Sequence, residues 1–103
     1  MVSMVDVGLV FEDFKDRVGN VFTVVEEGVP PIALTLKEAA PLPTRYAPKG
    51  VRPPFSLTFL GADERVLPQK LYRLKHEVMG EVTIFLVPVG KDVRGVSYQA
   101  TFN

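Results

Sequence analysis

The sequence predicts an all-β domain with one short helix, folded as a small antiparallel barrel or sandwich of about six strands across residues 1–103. Three observations lead there. Apolar side chains recur with period two in several separate runs, the signature of strands with one buried and one wet face. Gly and Pro punctuate those runs at the short spacing expected of barrels and sandwiches. A chain of 103 residues, 47% of them hydrophobic, suffices for one core and not for two.

The chain opens on an apolar segment, residues 1–10, in which Val5, Val7 and Leu9 alternate with Met4, Asp6 and Gly8. It lacks a basic leader and is too short to span a bilayer, so neither a signal peptide nor a membrane span is expected. Its alternation suits a strand. That strand packs on its own domain or pairs with the sheet of a neighbouring subunit, since unpaired edges invite such pairing.

Phe11 to Val18 is the helical candidate. Phe11, Phe14 and Val18 share a face, acids come early, bases come late, and Gly19-Asn20 follows as a stop. Val21 to Glu26 reads as a β-branched strand ending at Gly28 and Pro30-Pro31. Ile32, Leu34 and Leu36 alternate with Ala33, Thr35 and Lys37, a half-buried strand.

The stretch 39–54 breaks the pattern. It holds five of the nine prolines and three bases, Arg45, Lys49 and Arg52, with no acid. Proline fixes φ and removes a donor, so this is a stiffened loop. With Tyr46 it forms a candidate patch for an acidic partner or a polyanion.

Phe55, Leu57 and Phe59 mark the next strand, with Ser56 and Thr58 on its wet face. Leu71 to Val78 alternates again, placing Tyr72, Leu74, His76 and Val78 on one face before a Met79-Gly80 turn. Val82 to Val87 is apolar on both faces and reads as a central strand covered on both sides, with Pro88 marking a stop or bulge. Gly90 to Gly95 is a hairpin loop. Val96, Tyr98, Ala100 and Phe102 complete the last strand. No internal repeat is visible.

The chemistry-bearing residues are sparse. Cysteine is absent, which removes disulfides and thiolate chemistry, and twelve bases balance twelve acids. Nucleic-acid binders usually carry a basic excess, so nucleic acid is not an expected partner. His76 is the single histidine and falls on a core-facing strand position, which suits a structural role. No metal-ligand spacing, nucleophile elbow or phosphate cradle occurs, and the acids Glu26-Glu27 and Asp63-Glu64 stand beside turns. No cofactor, metal or enzymatic activity is expected.

Several short motifs run through most of the chain: Phe14 with Val18-Gly19-x-x-Phe22, Pro54-Phe55-Ser56-Leu57-x-Phe59, and Gln69-x-x-Tyr72-x-Leu74-x-His76 with Met79-Gly80. Phe85-Leu86-Val87-Pro88-Val89-Gly90 and Tyr98-Gln99-Ala100-x-Phe102-Asn103 continue the series. In these the sequence resembles domain of unknown function 6916, a family of small uncharacterised bacterial and phage proteins. The resemblance implies a compact β-fold without established catalytic residues. It also implies the company of phage-tail or tail-collar-like proteins, hence a structural role. The Pro-rich insert is where this chain is expected to depart from its relatives.

These readings converge on a non-enzymatic structural or assembly module, phage-tail-like or filament-type, that self-associates through strand edges as a homo-oligomer or pairs with another structural protein. The alternative is a binding module presenting the basic loop. The candidate contact residues are Val5, Val7, Leu9, Arg45, Tyr46, Lys49 and Arg52.

Overall fold

The computed structural model describes residues 9–28, 30–43 and 53–102. Within them a 3-10 turn, Phe11–Asp13, precedes six strands: β1 (Val21–Val24), β2 (Ile32–Pro41), β3 (Phe55–Gly61), β4 (Lys70–His76), β5 (Gly80–Asp92) and β6 (Gly95–Phe102). The strands close into an antiparallel barrel in the order β1-β2-β3-β6-β5-β4, with β4 returning to β1. Of the two architectures open to the sequence, the barrel is the one formed.

Alternation builds the core. Phe22 and Val24 of β1, Ile32, Leu34 and Leu36 of β2, and Phe55, Leu57 and Phe59 of β3 all point inward. Tyr72 and Leu74 of β4, Val82, Ile84 and Leu86 of β5, and Val96, Tyr98, Ala100 and Phe102 of β6 complete the ring. Burying one such side chain contributes about 1.5–3 kcal/mol.

Each end of the barrel is stoppered by the segment leading into a strand. At one end Phe14, fully buried, lies against Phe22, Phe55 and Phe102 at ring-centroid distances of 5.9–6.2 Å. Phe55 and Phe102, partners across the β3–β6 ladder, stack at 4.4 Å with nearly parallel rings. At the other end Leu67, on the crossover from β3 to β4, is buried. Its backbone N–H donates to the Tyr98 hydroxyl at 2.9 Å, and the Tyr72 hydroxyl donates to the Pro68 carbonyl.

Several expectations need correction. Ala39, Ala40 and Pro41, of the stretch read as a loop, continue β2. Gly90, Lys91 and Asp92 continue β5, so the hairpin loop shrinks to Val93-Arg94. The helix expected over Phe11 to Val18 is a single 3-10 turn followed by turns, and Val18 is half exposed. Side chains at i and i+3 eclipse in a 3-10 turn, so Phe11 and Phe14 both reach the Phe55 ring without a full α-helix. Val78 is exposed because β4 ends at His76, and Glu77–Met79 form a three-residue loop closed by Gly80 at φ +76°.

β5 is not covered on both faces. Phe85 remains 44% exposed opposite Leu71, itself 47% exposed, because a closed ring turns its outer face to solvent. Ser56, expected on a wet face, is buried. Pro88 does mark a bulge, since the β5–β6 register shifts between Pro88 and Gly90.

Candidate functional site

The seven residues singled out by sequence fall into two groups. Val5, Val7, Arg45, Tyr46, Lys49 and Arg52 lie outside the described residues. Leu9 lies within them and is 3% exposed, packed in the core of its own barrel. It is therefore spent on the fold and not offered to a neighbouring sheet, which corrects its place among the contact residues. Leu9 precedes the 3-10 turn, and burying it adds apolar area to the stoppered end.

The anchors of the basic loop are described. Pro41 pairs with Phe55 where β2 meets β3, and the Leu42 N–H donates to the Pro54 carbonyl at 3.0 Å. The chain therefore leaves and returns at one point at the Phe14 end of the barrel.

A concavity lies where β1 and β4 meet. Their ladder is the shortest of the ring, with Thr23 opposite Lys75 and Val24 opposite Leu74. Beyond Thr23 the strands part, leaving an open groove walled by Val21, Thr23, Lys75 and Glu81 with Asn20 and His76 between them. His76 is buried. Its Nδ1 accepts the N–H groups of Val78 and Met79, each at 3.1 Å, so Nε2 carries the proton and donates to Asn20 Oδ1 at 2.8 Å. The ring also leans on Phe22, with centroids 4.6 Å apart.

Both ring nitrogens are thus engaged. Protonating Nδ1 would set a third N–H against two donors. Burial foremost, then the nearby Arg17 charge, hold the His76 pKa below its ordinary value, against a smaller pull from Glu77. The arrangement orients a loop and a strand end. It leaves neither ring nitrogen of His76 free toward the groove.

Of the turn acids, Asp63 and Glu26 have basic partners. Asp63 takes the Arg65 backbone N–H at 2.9 Å and the guanidinium at 2.6 Å, which holds its carboxyl down at about 2. Glu26 reaches Lys70 at 3.3 Å, and Asp92 mirrors Asp63 through Arg94. The Arg94 guanidinium likewise holds the Asp92 carboxyl below the usual carboxylate range. Among the described residues no three His, Cys, Asp or Glu gather to hold a metal ion. None of the described helical residues forms a helix long and apolar enough to cross a membrane.

Two features escape a reading by sequence. Asn20, which fixes the His76 tautomer, lies 56 residues away along the chain. The outward Leu71–Phe85 pair shows only once the β4–β5 register is known. The apolar outer positions of the Val82 to Val87 run were the available signal, and they look the same in a strand covered on both faces.

No curated protein and no solved structure matches this chain. A family model does, over residues 9–102, which takes in the stopper segment, all six strands and the crossover. The chain belongs to the family described as Domain of unknown function (DUF6916).

Proposed function

We propose that this domain is a non-catalytic structural module that self-associates, a component of a phage-tail-like or filament-type assembly. The observation that carries this reading is the pair Leu71 and Phe85. They stand opposite each other on the outer face of β4 and β5, 47% and 44% exposed. Two large apolar side chains side by side on a sheet surface are costly to leave in water and favour a contact.

The occupant proposed is a second copy. The chain carries no net charge, so two copies meet without long-range repulsion. Every described strand already has a partner on both sides, so the contact is assigned to side-chain faces instead of strand edges.

Sedimentation equilibrium over a range of concentrations tests this, comparing the wild type with Leu71→Lys/Phe85→Glu. Association in the wild type that the double variant loses supports it. A wild type that stays monomeric at every concentration overturns it.

A second reading rests on the closed neck at Leu42 and Pro54, between which the sequence carries Arg45, Tyr46, Lys49 and Arg52. In it, those bases bind an acidic partner. Binding to an acidic polysaccharide that weakens with salt and with reversal of the three bases supports this reading. Absence of binding at low salt removes it.

A further inference from the structure

The registers contain a symmetry that the sequence hides. The ring order splits into two three-stranded meanders, β1-β2-β3 and β4-β5-β6, joined by the β1–β4 and β3–β6 seams on opposite sides of the barrel. The middle strand of each meander bulges against its third strand. In the first the register shifts between Leu36 and Glu38, opposite Phe59 and Thr58. In the second it shifts between Pro88 and Gly90, opposite Tyr98 and Ser97. Phe59 and Tyr98 are therefore equivalent, and they are partners across the β3–β6 seam.

Counting back from the bulges gives the opposite seam. Leu34 and Leu86 become equivalent, as do Ile32 and Ile84, whose ladder partners are Val24 and Tyr72. The next residues, Val25 and Arg73, meet across the β1–β4 seam, where the Val25 N–H donates to the Arg73 carbonyl at 2.9 Å. One pseudo-two-fold axis thus passes through both seams. It superposes Leu57-Thr58-Phe59 with Val96-Ser97-Tyr98, aliphatic on aliphatic, hydroxyl on hydroxyl and aromatic on aromatic, and then Gly61 with Ala100. Each meander also has a buried stopper ahead of its first strand, Phe14 before β1 and Leu67 before β4.

We infer that the barrel is a covalently joined pair of equivalent meanders, and that two copies of this chain exchange meanders to form a dimer. Every seam pair made within one chain is remade between chains, so exchange forfeits no ladder hydrogen bond between meanders. The hinge is residues 62–65. Ala62, Glu64 and Arg65 are exposed, and among the described residues Asp63 is tied only locally, to Arg65. The Tyr98 hydroxyl reaches the Arg65 carbonyl at 3.4 Å, a weak restraint. Leu67 and Pro68 stay bonded to Tyr98 and Tyr72 of the second meander and travel with it.

The native absence of cysteine allows a clean test. Thr58 and Gln99 face each other across the β3–β6 seam on the outer surface. Full-length Thr58→Cys and Gln99→Cys variants are mixed, unfolded together, refolded at high concentration and oxidised. Exchange yields a covalent species of twice the 11.4 kDa chain mass from the mixture, and far less from either variant alone.

The double variant Thr58→Cys/Gln99→Cys, at low concentration, is the control for seam geometry, with Leu60→Cys/Ser97→Cys as its neighbour. A bridge within the double variant but none in the mixture overturns the exchange. Failure of both seam pairs to bridge within one chain overturns it as well. The exchange deepens the self-association reading and fails separately from it. A wild type that associates without cross-chain bridging keeps the outer-face contact and loses the exchange.

Discussion

His76 Nε2 lies 2.8 Å from Asn20 Oδ1, so the last residue of β4 is bonded to the residue that precedes β1. The same ring holds the β4–β5 loop through Nδ1. One neutral side chain therefore closes the end of the seam where the two strands part.

The pH dependence follows from that geometry. Burial, then the Arg17 charge, depress the His76 pKa in the folded protein. The unfolded chain takes up the proton more readily, so the contribution is full above about pH 6.5 and is lost as the pH falls through the folded-state pKa. Urea denaturation is expected to show stability declining as the pH falls below about 6.5. His76→Gln flattens that slope. An equal slope in both proteins would show that His76 is not its source.

Tyr98→Phe removes the acceptor of the buried Leu67 N–H. The expected loss is about 1–2 kcal/mol, the cost of leaving one buried donor unpaired. Leu67→Ala removes the stopper itself, and the two effects should fall short of additivity because both loosen one crossover. Denaturant titration of the double-mutant cycle checks this, and strict additivity would separate the two residues.

Gly95 cannot accept a side chain. Its φ is +134°, and an added Cβ would lie 2.0 Å from the Gly61 carbonyl oxygen. Gly95→Ala is expected to cost about 2–4 kcal/mol through strain and displaced backbone, seen as a lower urea midpoint. An unchanged midpoint contradicts the close packing of β3 against β6 at that end.

Thr83 makes the opposite case. Its hydroxyl is buried, with no hydrogen-bond partner among the described residues. Thr83→Val keeps the shape and removes the orphan, so stability should rise by about 0.5–1 kcal/mol. Calorimetry reads this as a higher Tm. A drop would mean that the hydroxyl is satisfied in solution.

Alternation made the strands legible, because a half-buried strand writes its burial into every second residue. The runs around Leu34, Leu57 and Tyr98 lie where their spacing places them. The Phe11 turn misleads because an i, i+3 pair serves a 3-10 turn as well as an α-helix. Val78 misleads because alternation alone does not show where a ladder stops. The internal symmetry is invisible as a repeat, since the strand-to-strand spacings after β1 and β2 are far longer than those after β4 and β5, which leaves no fixed period. The Leu71–Phe85 surface depended on register, which emerges only from pairing.

The proposed self-association rests on that surface. Methyl NMR spectra recorded through a dilution series test it most directly. Signals of Leu71, and of Val87 next along the same outer face, should move with concentration, while those of buried Leu34 and Leu57 hold still. Spectra that do not change at any concentration would contradict it.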